Sequence, residues 1–382
     1  MSKRALTTLK RVLPAALIVA AVCVGAVLLF HRGTRAYQPP PIAFDGPSED
    51  LKQTVIVPTL DTPIPENKNV IWCASFQIAW NEMRDEIVKE PIRIENAEEI
   101  AQRLNNAKTT KDDLVPGSYY AKVGAVADGI IEQIQQEMAN RFPDVPTPEI
   151  EASAEAFVAY AYLAANVKFT IPFFENTEEF LFGKTPVSSF GIREKDTDAY
   201  NTLRSQVQIL YRSADDDDYQ SWYEREFVID PCKDSSPNQL ILARVKPKQT
   251  LAETLADMEA KIAGWNGTHD EHEFESVDVL LVPNVFYRIN HHFTGLEGTD
   301  KIILNEGCPI PGYWVRETSQ MTDFKLDRSG AELKTEAVIV CENGARYFVF
   351  NRPFLIIMKK RGADRPFFVM WVDNAELLCK PR

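Results

Sequence analysis

The hydrophobic positions of the chain change period part-way along it. In the first half they recur at three- and four-residue spacing, which marks one buried face of a helix. Phe76, Ala79, Trp80, Met83 and Ile87 form one such set. Val123, Ala127, Ile130, Ile131, Ile134 and Met138 predict a longer helix stopped near Pro143. Asn96 with Glu99 reads as a variant capping box before Ile100 and Leu104. Thr147-Pro148 reads as an N-cap with proline in the first turn of a helix through Phe157 and Tyr160. From Asn166 onward strands are predicted: Val167–Phe174, Leu240–Val245, Val277–Val282, Val285–Ile289, Thr322–Leu326, Thr335–Cys341, Tyr347–Phe350, Phe354–Lys359 and Phe367–Val372. One helix interrupts them, opened by Thr250 with Glu253 and carried on by Leu255, Met258 and Ile262. Helices mainly in the N-terminal half, and mixed or antiparallel sheets mainly in the C-terminal half, predict an α+β fold.

Ahead of this body, the 19 residues Val12–Phe30 carry no charged side chain. As a helix they would span about 28 Å, close to the roughly 30 Å hydrocarbon core of a bilayer. Lys3, Arg4, Lys10 and Arg11 precede the run, and Arg32 and Arg35 follow it. That bias predicts a single-pass signal anchor over residues 1–35, with the N-terminus cytoplasmic and the body extracytoplasmic. A cleaved signal or a lipoprotein is the competing reading. The run, however, closes on Leu28-Leu29-Phe30 rather than on a small-x-small site, and Ala20-Ala21-Val22-Cys23 is a weak lipobox. Ala36–Lys68 holds seven prolines and predicts an extended linker over 36–68, with a strand around Val55-Ile56-Val57 as the alternative. Residues 69–382 are long enough for one large domain.

Charge narrows the function. The 382 residues bear a net charge of −13, and the six basic residues of the first 35, unopposed by any acid, leave −19 on the remainder. So acidic a body repels phosphate backbones, and nucleic acid is not an expected partner. Five cysteines lie beyond the apolar run, at 73, 232, 308, 341 and 379, with no CxxC among them; disulfides and buried thiols both stay open. His269 and His272 are spaced i, i+3, not the i, i+4 of a helical zinc pair. Gly183-Lys184-Thr185 ends like a phosphate-binding loop, but Glu178 stands where its first glycine is needed. No GxSxG elbow occurs, His291-His292 read as structural, and Asp215–Asp218 reads as solvated surface. No catalytic residue, metal or cofactor is predicted.

Phe350–Met358 and Pro366–Asn374 are two apolar runs around a polar turn, and Thr322–Glu332 precedes them. With these segments the C-terminal third resembles the serpins, the serine protease inhibitor superfamily: the two runs look like the family's closing hairpin and tail, and Thr322–Glu332 resembles the strand and hinge that lead into its reactive loop. Val277–Ile289 with Pro283 at its centre, Leu240–Val245 before the Thr250 helix, Asn69–Phe76 and Asn166–Phe169 resemble further family segments. The resemblance implies a serpin-like domain whose bait loop, once cut, enters the main sheet as an added strand. It places the hinge at Gly330, Ala331, Glu332, Leu333 and Lys334, and the bait region at Glu342, Asn343, Gly344, Ala345 and Arg346.

Several residues depart from the family pattern. Leu333-Lys334-Thr335-Glu336 replaces a run of small residues, Arg328 replaces an acid, Cys73-Ala74-Ser75-Phe76 replaces a serine-proline-x-serine, and Gln320 replaces a histidine. Burying a charged side chain costs several kcal/mol unless it is paired, so these changes oppose strand insertion. The leading reading is a membrane-anchored, extracytoplasmic protein that binds a peptidase or another protein without covalent trapping. The alternatives are a working inhibitor cut near 342–346, and a membrane-anchored hydrolase or ligand-binding domain.

Overall fold

The computed structural model describes residues 39–193, 198–213, 225–329 and 346–381. In chain order the strands are β1 (Phe44–Pro47), β2 (Thr54–Ile56), β3 (Asn69–Cys73), β4 (Tyr119–Ala125), β5 (Phe157–Leu163), β6 (Phe174–Phe182), β7 (Thr185–Ile192) and β8 (Gln208–Arg212). They continue as β9 (Phe227–Asp230), β10 (Asn238–Arg244), β11 (Val279–Pro283), β12 (Val285–His292), β13 (Ser319–Leu326), β14 (Tyr347–Val349), β15 (Phe354–Lys360) and β16 (Pro366–Val372). The α-helices are α1 (Ala74–Glu82), α2 (Glu98–Asn106), α3 (Ile130–Arg141), α4 (Asp198–Arg204), α5 (Leu251–Gly264) and α6 (His269–His272). The fold is α+β, as the change of period predicts.

Sheet order locates the core. A seven-stranded sheet runs β2-β3-β16-β15-β10-β9-β8, a four-stranded one β14-β11-β7-β6, a three-stranded one β1-β12-β13, and β4 pairs with β5 alone. The β15–β16 hairpin, anticipated from sequence, pairs Phe354 with Val372 and Ile357 with Val369. Every residue of β16 is buried, because β3 and β15 flank it and both its faces are packed. Such strands read as continuous apolar runs, whereas β13 alternates exposed and buried residues and has one wet face. Thr250 accepts a hydrogen bond from the Glu253 N–H at 3.1 Å and opens α5, as its capping box predicts.

Four expectations give way. Residues 36–68 are not a spacer throughout: β1 pairs in parallel with β12, and β2 in parallel with β3, so the Val55-Ile56-Val57 alternative holds. Val123 lies in β4, and the helix begins only at Ile130, after Gly129 takes a left-handed φ of 75°. The helix expected through Phe157 and Tyr160 is β5; its aromatic residues oppose Tyr119–Ala125, and cross-strand packing overrides the Thr147-Pro148 start signal. Val167–Phe173, including the Asn166–Phe169 segment, is irregular, and the strand starts at Phe174. Val277–Ile289 does supply two strands, but they part at Asn284 into different sheets.

Of the cysteines, Cys73, Cys232, Cys308 and Cys379 are described and all are free thiols. Burial pushes the Cys379 thiol up to about 12, helped by the charge of Asp327, so it is a poor nucleophile at neutral pH. Val12–Phe30, Asp215–Asp218 and Thr335–Cys341 lie outside the described residues. Among the described residues no helix is long and apolar enough to cross a membrane.

Candidate functional site

The candidate site consists of the two ends of the 330–345 segment and the sheet edges nearest to them. Gly330, Ala331, Glu332, Leu333 and Lys334 lie outside the described residues, as do Glu342, Asn343, Gly344 and Ala345. Their two anchors are described. At the exit, Phe324 and Leu326 hold β13 to the core. The chain is then fixed by Asp327, a buried carboxylate that meets the Lys325 ammonium at 2.9 Å and accepts from the Ser329 N–H at 2.8 Å. Arg328, the departure noted in the sequence, is buried and donates from Nε to the Phe173 carbonyl at 2.7 Å, while the Phe173 N–H donates back to the Arg328 carbonyl at 3.1 Å. The side chain that replaces an acid therefore ties the exit of β13 to the start of β6.

The return is tied more firmly. Asp278, 0% exposed, receives Arg346 Nε at 2.9 Å and Nη2 at 2.5 Å, while the Glu275 N–H donates to it at 2.6 Å. Arg346 also donates to the Glu273 carbonyl at 2.6 Å, and its own carbonyl accepts from the Val279 N–H at 3.0 Å. Burial works against the guanidinium charge, but the Asp278 hydrogen bonds and charge prevail and raise its pKa above the ordinary arginine value. Phe348, in the next strand, is buried against Phe227 and Phe274. The Arg346 side chain, named in the bait region, is thus paired and largely covered, while Tyr347 beside it is exposed. The cause is Asp278, which is buried immediately before β11 and requires a cation.

Among the described residues β13, which leads to the exit anchor, pairs only with β12, and β5 only with β4. Both pack on α1, and the charge of Asp323 on β13 reaches the Tyr162 hydroxyl on β5. Under the β12–β13 pair, Tyr287 is fully buried with its hydroxyl unpartnered among the described residues. Cys73 sits at the β3–α1 junction with its thiol pushed up by burial. Gln320 faces inward and donates to Thr322 Oγ1 at 3.1 Å, leaving its Oε1 unpartnered. Phe76 packs on Phe293 at 4.2 Å between ring centroids. Of the altered positions that are described, Ala74, Phe76, Gln320 and Arg328 are buried and Cys73 and Ser75 are half-buried.

His269 and His272 form α6; His272 Nδ1 lies 3.0 Å from the Ile209 carbonyl, and its ring is 4.4 Å from that of Trp265. Among the described residues no three His, Cys, Asp or Glu side chains gather as metal ligands.

The order of elements follows the segments that resemble the serpins in sequence: β3 into α1, β10 before α5, β11 and β12 around Pro283-Asn284, β13 before the 330–345 segment, and the closing hairpin. Solved serpins are what the chain is similar to. One is a highly specific serpin of the insect Tenebrio molitor, at 11% identity and TM-score 0.44 over 80% of this chain and 91% of that one. The mouse protein-Z dependent protease inhibitor matches at 12% and 0.43 over the same shares, and human glycosylated kallistatin at 11% and 0.43. No family model matches the chain, and no curated protein does.

Proposed function

We propose that the body is a serpin-like, protein-binding domain that offers the 330–345 segment to a peptidase or another protein, held outside the cytoplasm by Val12–Phe30. The observation that carries this reading is the double anchorage. One end of a 16-residue segment is fixed by Asp327 and Arg328, the other by Arg346 on Asp278. A segment fixed at both ends loses less conformational entropy when a partner orders it than a free tail does. Trapping by strand addition is disfavoured, since Lys334 or Glu336 would have to enter the sheet.

A second reading is favoured by one feature. The unpaired edges of β13 and β5 are the place where an added strand could pair, which suits a working inhibitor.

One experiment separates the two. The purified chain is incubated with a panel of serine peptidases, beside a variant whose residues 331–345 are replaced by Gly/Ser repeats. Reversible binding that the replacement abolishes, with little change in melting temperature after cleavage, supports the first reading. A detergent-stable covalent complex, or a rise above about 10 °C on cleavage, establishes the inhibitor. Equal behaviour of the chain and the replacement variant defeats both.

A further inference from the structure

A cavity of about 550 Å³ opens between α3 and β4, far in sequence from the anchored segment. That volume suits a small organic ligand. In a body of strong negative charge its lining is the reverse: Lys111, Lys122 and Arg141 against one acid, Glu137. Geometry has partly fixed these cations already. Arg141 lies 5.2 Å from the centre of the Tyr120 ring and spends its Nε on Glu137 at 2.8 Å, which leaves the terminal Nη groups. Lys111 Nζ meets Glu82 at 2.5 Å and keeps further N–H donors. The Lys122 ammonium and the Gln136 amide, both on exposed residues lining the cavity, have no partner among the described residues. The wall is therefore rich in cationic donors, and its only carboxylate is engaged. That inventory calls for a ligand made mostly of acceptors and carrying negative charge. A phosphate group, with three strong acceptor oxygens and a charge near −2, meets both conditions.

We infer that this cavity binds a small phosphate-bearing molecule. Lys122, Lys111 and the Arg141 Nη groups hold the phosphate, while Tyr119 and the glutamines line the space left for its organic part. The cleft focuses positive potential in an otherwise repellent field, so an anion is drawn to this place on the body. The inference is independent of what the 330–345 segment binds.

Calorimetric titration of the full chain with inorganic pyrophosphate is the test. Saturable binding is expected, weakening by about tenfold for each charge-assisted contact removed in Lys122→Met and Arg141→Gln, at unchanged melting temperature. Glu137→Gln, which deletes the opposing acid, should tighten binding. Absence of saturable binding overturns the inference, as does equal affinity in Lys122→Met and Lys122→Glu. Equal uptake of sodium sulfate at matched ionic strength overturns the assignment to phosphate.

Discussion

The β15–β16 hairpin and the β4–β5 ribbon are both antiparallel pairs, yet they are held by different means. In the hairpin all of β16 and most of β15 are buried, and each strand has a second neighbour, β3 or β10. In the ribbon every residue of β5 is only half-buried, and among the described residues neither strand has a second neighbour; one face packs on the main core through Phe157, Ala161 and Leu163, the other on the small cluster of Tyr120, Ile130, Ile134 and Met138. A two-stranded pair is marginal without such support. Opening of the hairpin is thus global unfolding, whereas the ribbon can open locally while the rest of the fold stands.

Predictions that would break this contrast begin with the hairpin. Truncation at Lys359 removes β16 and should leave no cooperative melting; a truncated body that melts like the full chain would refute the central place of the hairpin. Trp371→Ala empties a fully buried site and should cost about 3–5 kcal/mol in denaturant unfolding, a large part of a domain's stability. Arg346→Ala leaves Asp278 charged and buried, and should likewise cost about 3–5 kcal/mol. A loss below 1 kcal/mol, as for an exposed pair, would show the return anchor to be weak. Val158→Ala in β5 should cost about 1 kcal/mol or less globally, while amide exchange in β4–β5 quickens and the hairpin stays protected. The smallest effect is on pH. Burial pushes the Tyr160 hydroxyl up to about 12 from 10. Its folded value exceeds the unfolded one, so its contribution is intact below pH 10 and is lost as pH rises toward 12. Tyr160→Phe should remove one tyrosinate absorbance step near pH 12 and flatten the loss of ribbon structure over that window.

The sequence made legible what depends on local pattern. β16 and β15 showed as apolar runs around a polar turn, and α5 showed through Thr250 and Glu253. The ribbon was missed because Val123, Ala127 and Ile130 match a helical spacing although Gly124 and Gly129 interrupt it. β1 was hidden by Pro47, which closes the strand rather than preventing it, and β2 showed only as the alternative to a linker. At the site, the resemblance placed Arg346 in the bait region. Its pairing with Asp278, 68 positions earlier, was not legible, because no local pattern carries a long-range ion pair.

The four unpaired thiols give the molecule internal clocks. Each lies in a different part of the fold: Cys73 at the start of α1, Cys232 after β9, Cys308 before β13 and Cys379 after β16. Because Cys379 is held unreactive by burial, a thiol-alkylating reagent modifies it only when its surroundings open. The order in which the four are alkylated at neutral pH would then rank the breathing rates of four neighbourhoods without any engineered label, and the addition of a binding partner would show which of those rates it slows.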